Sequence, residues 1–157
     1  MSHLDYMKDL GLSPVLVYKT LDIDYTTKIN ELIIKTPLKG IVTFSGINHL
    51  IYLNHYIYGC LSTGKVKSIY YSTFHELADR MSMFDRLFTG FHMCVVSNIN
   101  PEDKYIEPLL SLLNASMSNE IPTILTTPFS IIKFESKCSP LLLSLIHPYI
   151  QGVIDED

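Results

Sequence analysis

Three groups of residues in this chain have the types that chemistry needs. The first is the run Ser45-Gly46-Ile47-Asn48-His49, a hydroxyl on a glycine turn followed by an imidazole. A serine nucleophile needs a sharp turn flanked by glycines and a base within reach of its proton. Only one flanking glycine is present and no base is fixed by the spacing, so a small α/β hydrolase or transferase working at 45–49 stands as an alternative reading. The second group is the six histidines and three cysteines. His49 and His55, on one predicted helix, fall on different faces and cannot chelate together. His75 with Glu76 and Asp79 reads as ordinary capping chemistry at a helix start. His92 inside a strand reads as a core group, and His147 before Pro148 as a helix end. Cys60, Cys94 and Cys138 are odd in number, far apart and set in apolar stretches, which fits buried thiols in a reducing compartment rather than a disulfide frame or a metal set. No catalytic residue, metal site or cofactor is expected.

The third group is cationic. Between Tyr25 and His75 stand Lys28, Lys35, Lys39, Lys65 and Lys67 against one acid, Glu31, while the acids collect elsewhere, ending in Asp155, Glu156 and Asp157. Lys65 and Lys67 beside Tyr70 combine charge with a ring that could stack on a base, so a weak nucleic-acid contact is a second alternative. With a net charge of −4 and only two arginines, Arg80 and Arg86, protein binding ranks above it. The stretch from Met81 to Phe91 is rich in Met and Phe without a regular period, and Met81, Met83, Phe84 and Phe88 are the expected partner-binding residues.

The elements that must position these groups follow from composition and period. The 157 residues fit one ordinary domain, and 47% hydrophobic residues supply a core. Charged residues make up only 18%, a surface poor enough in charge to favour a partner or a homo- or hetero-oligomer. No run reaches a membrane span and Met1 to Lys8 lacks the features of a signal peptide, so a cytoplasmic protein is expected, or a nuclear one in a eukaryote. Residues 1–39 read as a lead-in with short helices at Asp5 to Leu10 and Thr26 to Lys35, the second capped by Thr26 or Thr27. From Gly40 the order becomes regular: strand Gly40 to Phe44, helix Ile47 to Ser62, strand Val66 to Ser72, helix Phe74 to about Met83, strand Phe91 to Ser97. A helix starting at Asn100-Pro101-Glu102-Asp103 carries Ile106, Leu109, Leu110, Leu113 and Met117 on one face. It is followed by strand Pro122 to Thr127, helix Leu141 to Ile146 and a last strand, Tyr149 to Ile154. Such alternation predicts a three-layer α/β sandwich around a mostly parallel sheet of about five strands. Functional groups then gather beyond the carboxyl ends of the strands, at Ser45 to His49, Ser97 to Asn100 and Thr126 to Ser130.

With Ile-Val-Thr-Phe-Ser-Gly-Ile-Asn-His-Leu at 41–50, Tyr70 to Ala78, Met93 to Ser97 and Pro122 to Phe129 in this order, residues 40–157 resemble the ATPase domain of bacterial helicase loaders and replication initiators of the AAA+ group. The resemblance implies a P-loop-NTPase-like core of the AAA+ or RecA-like kind. The first stretch is similar to the family's first strand and phosphate loop, the third to its Walker B strand and the last to its sensor strand. Against that pattern Ser45, Gly46, Ile47 and Asn48 make a turn too short to wrap a triphosphate, and Ile47 and Asn48 stand where the lysine and the metal-binding hydroxyl belong. Ser97 and Asn98 replace the Walker B acids, and Thr127 or Pro128 the sensor asparagine. Loss of these groups together removes most of the electrostatic stabilisation of phosphoryl transfer. The resemblance therefore implies a non-catalytic, ATPase-like adaptor for a protein partner in DNA replication or recombination, a helicase, an initiator or a recombinase.

Overall fold

The computed structural model describes residues 2–36, 39–102 and 106–156, with backbone alone at 85–88. Five strands form one sheet: β1 (Ile41–Ser45), β2 (Ile69–Thr73), β3 (Met93–Ser97), β4 (Thr123–Thr127) and β5 (Ile150–Asp155). Their order across the sheet is β2-β3-β4-β1-β5, and every pairing is parallel. All residues of β1, β3 and β4 are buried, as continuous apolar and β-branched runs in a sheet covered on both faces must be.

Helices α1 (His3–Leu10), α2 (Ile23–Lys35) and α3 (His49–Ser62) cover one face. Met7, Ile29, Leu32, Leu53 and Ile57 meet Val42, Phe44, Val95 and Ile124 there, so α1 and α2 share a core with the sheet. On the other face lie α4 (Leu87–Gly90), α5 (Ile106–Ser118), α6 (Ile131–Lys137) and α7 (Pro140–Ile146), preceded by 3-10 stretches at Phe74–Glu76 and Ala78–Arg86. Leu109, Leu112, Leu113, Phe134 and Leu142 pack against Ile41, Cys94, Val96 and Leu125 in a second core. This is the three-layer α/β arrangement the alternation predicts.

Several local expectations are corrected. Helix α2 starts at Ile23, and the Thr26 and Thr27 hydroxyls donate back to the Asp22 and Ile23 carbonyls instead of capping. The segment after β2 is 3-10 rather than α-helical. Phe74 and Leu77 are both fully buried three residues apart, and at three residues per turn the two side chains fall directly in line on the buried side. Asn100 accepts from the Glu102 N–H in a tight local turn, so Asn100, Pro101 and Glu102 are not helical, and α5 is described from Ile106; Asp103 lies outside the described residues. Helix α6, with Ser130 accepting from the Lys133 N–H as its cap, has no counterpart in the sequence reading.

Candidate functional site

The strand order reverses direction at β1: its chain continues through α3 to β2, three places away, whereas β5 lies beside it on the other edge. Such a switch point opens a crevice at the carboxyl ends of the strands. Ser45 ends β1 and α3 begins at His49, so the connecting turn is only Gly46, Ile47 and Asn48. Gly46 sits at φ 107°, and a Cβ there would come within 2.5 Å of the Glu156 carbonyl oxygen. Only glycine suits that conformation and that approach. Ile47 projects into solvent, 84% exposed.

The turn is filled by the chain's own acids. The Glu156 carboxylate accepts from the Asn48 backbone N–H at 3.0 Å, the Asn48 Nδ2 at 2.9 Å and the Tyr52 hydroxyl at 2.6 Å. It thus occupies the N-terminal end of α3, where a helix dipole and free N–H groups favour an anion. Partial desolvation pushes its carboxyl up, but the hydrogen bonds from Tyr52 and Asn48 together outweigh this and leave it below the usual carboxylate range. Burial and that same carboxylate push the Tyr52 phenol up. Asp155 Oδ1 accepts from Ser45 Oγ at 2.6 Å and from the Ile131 N–H at 2.9 Å, while the Glu156 N–H donates to the Ser45 carbonyl.

The neighbouring strand ends are equally committed. His49 Nδ1 pairs with Thr126 Oγ1 at 2.9 Å, and burial lowers the imidazole to about 4, so it stays neutral. Thr126 Oγ1 also accepts from the Asn98 N–H at 3.3 Å, with Asn98 in the left-handed region at φ 59°. Ser97, fully buried, shares a 2.6 Å hydrogen bond with the Tyr71 hydroxyl. Thr127 Oγ1 donates to the Ile99 carbonyl. Ser45 is fully buried and bonded to Asp155, and His49 is bonded to Thr126, so serine and imidazole make no dyad.

The structure thus gathers Ser45, Gly46, Ile47, Asn48, Ser97 and Asn98 at one rim, as their strand positions predict. Thr126, at the third predicted strand end, joins them, while Tyr52, Ile131, Asp155 and Glu156 belong to the same cluster and were missed. A signal for two of them existed, since acids directly after a last parallel strand must fall at the same rim.

Other predicted residues lie elsewhere. Tyr70 is 3% exposed with Phe84 and Phe91 against its ring, so it presents no face to a base. Phe84 is likewise buried, which removes it from the partner surface; Met81 is 44% exposed, Met83 is half-buried, and the Phe88 side chain lies outside the described residues. Lys65 caps α2 by donating to the Ile33 and Ile34 carbonyls, and Lys67 is exposed before β2, at the opposite rim. Lys39 pairs with Glu120 at 3.3 Å, and the Lys28 ammonium lies 5.5 Å from the Tyr25 ring centroid. Burial pushes the Cys60 thiol up to about 11 and raises Cys94 further, as expected of inert thiols. Among the described residues no cluster of His, Cys, Asp and Glu could hold a metal ion, and no helix is long and apolar enough to cross a membrane.

No protein-family profile matches the sequence. No curated protein matches it either. Solved structures do match in shape. A DnaC helicase loader superposes with a TM-score of 0.67 at 12% identity, covering 88% of this chain and 94% of that one. DnaI gives 0.64 at 11% identity over 96% and 92%. AMPPCP-bound DnaA from Aquifex aeolicus gives 0.58 at 12% identity over 87% of this chain, which spans 49% of that protein. At such identities the likeness is one of architecture: this chain shares the five-stranded parallel α/β fold of these helicase-loader and replication-initiator structures.

Proposed function

We propose that this chain is a non-catalytic, ATPase-like adaptor that binds a protein partner in DNA replication or recombination. The observation that carries the reading is the Glu156 carboxylate on the Asn48 N–H and the Tyr52 hydroxyl, at the helix end where a nucleotide's phosphates would need to sit. A phosphate there would have to displace a carboxylate held by three donors, across a three-residue turn with no lysine to offset its charge. Ser97 and Asn98, which offer no carboxylate for a magnesium ion, support the same reading. The likeness to DnaC, DnaI and DnaA supports replication as the setting, with a helicase or an initiator as the partner class; a recombinase rests on the sequence resemblance alone. The exposed Ile47 at the rim and Met81 beyond it are the apolar contacts that such a partner would bury.

The test is direct. Titration of the full chain with a fluorescent ATP analogue and Mg²⁺ is expected to give no saturable binding at micromolar nucleotide. Co-purification from the native cell is expected to recover a replicative helicase, initiator or recombinase. Tight Mg²⁺-dependent ATP binding would overturn the degenerate reading, and a partner set free of replication and recombination proteins would overturn the adaptor role.

A further inference from the structure

Helix α2 buries Ile29 and Leu32 in the core on one side. Its opposite side carries Ile23, Thr27, Asn30 and Ile34, all exposed, the two isoleucines 76% and 72% open to solvent. Their spacing of four, three and four residues is that of the seam between two paired helices. Among the described residues nothing covers this stripe.

Beside it runs a row of charges that alternates in sign: Asp24, Lys28, Glu31 and Lys35. Acid and base stand four residues apart at 24 and 28 and again at 31 and 35, yet none of the four closes an ion pair among the described residues. The acid lies in the first turn and Lys35 in the last, as the helix dipole favours, so the two ends of α2 differ in charge.

Such a helix is complementary to itself reversed. A two-fold axis crossing α2 near Ile29 sets Ile23 of one copy against Ile34 of the other, and Thr27 against Asn30. Thr27 Oγ1 donates to the Ile23 carbonyl at 2.9 Å, so its lone pairs can accept from the Asn30 amide across the axis. The same rotation keeps both charged rows on one side of the pair, with Lys28 beside Glu31 of the other copy and Asp24 beside Lys35. Parallel copies would instead set each charge beside its own kind and align the two dipoles.

We infer that the outer face of α2 is the contact surface of an antiparallel, two-fold dimer, its occupant a second copy of this chain. An isologous contact of this sort closes on itself and leaves no open end for further copies. A pair of 13-residue helices is smaller than a standard interface, so the dissociation constant is expected at about 10–100 μM. The surface is separate from the turn at 45–49 and does not depend on the adaptor reading.

Sedimentation equilibrium of the full chain from about 5 to 500 μM tests it, a range that brackets this affinity. The wild-type chain should pass from monomer to dimer. Ile34→Lys should weaken association at least about ten-fold with an unchanged urea midpoint, because the side chain is exposed and leaves the core intact. Lys28→Glu and Glu31→Lys should each weaken self-association about ten-fold, since two attractive contacts become repulsive. An equimolar mixture of these two variants should return to within about three-fold of the wild-type affinity, because each supplies the charge the other lacks. A wild-type chain monomeric throughout the range, a dimer indifferent to I34K, or a mixture no tighter than its components would each overturn the proposal.

Discussion

Ser45 and Thr43 stand two residues apart on β1, both buried and both carrying a hydroxyl, yet their surroundings differ completely. The Ser45 hydroxyl is met by Asp155 at 2.6 Å, in a rim where Glu156, Asn48, Tyr52, His49 and Thr126 also find partners. The Thr43 hydroxyl is met by nothing among the described residues. In the first region the Ser45 hydroxyl, the Asn48 N–H and Nδ2, the Tyr52 hydroxyl and the His49 Nδ1 are each met by a side chain of the same chain. The contrast teaches that the turn after β1 is braced by the chain's own acids, whereas the middle of the same strand keeps one buried hydroxyl without a partner among the described residues.

The largest expected effect comes from forcing the closed rim apart. A Cβ at Gly46 would meet backbone and Cβ atoms of Glu156, not a flexible side-chain end, and the φ of 107° is one that L side chains rarely adopt. Gly46→Ala should therefore cost about 3 kcal/mol or more, read as a lower urea midpoint with unchanged slope. If the loss is below about 1 kcal/mol, the apposition of the turn and Glu156 is not rigid, and the contrast with Thr43 weakens.

Next in size is acid sensitivity. Burial lowers His49 to about 4, so the unfolded chain takes up this proton first as the pH drops. Stability from this group is complete above the unfolded pKa near 6.5 and is lost progressively as the pH falls toward 4, by about 3 kcal/mol. Glu156, held below the usual range, adds a further loss at lower pH as it is protonated. Urea melts between pH 7 and 4 should show this slope, and His49→Gln should flatten it. A slope unchanged in H49Q would mean that the imidazole titrates freely and that the rim is less closed than its hydrogen bonds imply.

A smaller effect isolates the carboxylate. Glu156→Gln keeps the shape and removes the charge from three donors, which should cost about 1–2 kcal/mol at pH 7, a difference that shrinks in acid as the wild-type carboxylate is itself protonated. If phosphate or sulfate stabilises E156Q but not the wild-type chain, the comparison sharpens: the helix end is an anion site and Glu156 is what closes it.

How much of this was legible beforehand depends on the range of each signal. The parallel sheet could be read because Ile41 to Phe44, Met93 to Ser97 and Ile124 to Thr127 are continuous β-branched and apolar runs separated by helical periods, and burial on both faces imposes that pattern locally. The site positions at 45–48 and 97–98 were legible because strand ends in such a sheet converge. The closing contacts were not, because Glu156 reaches Asn48 across 108 residues and only the pairing of β5 beside β1 brings them together. Tyr70 and Phe84 misled for a related reason: aromatic and cationic neighbours in sequence read alike whether they point out or in, and the burial of Tyr70 is set by Phe84 and Phe91. The turn from β2 into 3-10 structure escaped because a three-residue spacing of Phe74 and Leu77 fits an α-helix face nearly as well.

The smallest effect belongs to the opposite rim, where Lys65 and Lys67 separate two kinds of lysine. Lys65 Nζ sits on the last carbonyls of α2, so Lys65→Met should lose about 0.5–1 kcal/mol, part of it screened by salt. Lys67 is exposed, and Lys67→Met should move stability by less than about 0.5 kcal/mol. Should the chain bind single-stranded DNA at this end, the order would invert in a binding assay: Lys67 would carry the salt dependence and Lys65, already committed to α2, would not. An affinity that ignores salt in both variants would remove nucleic acid from this rim.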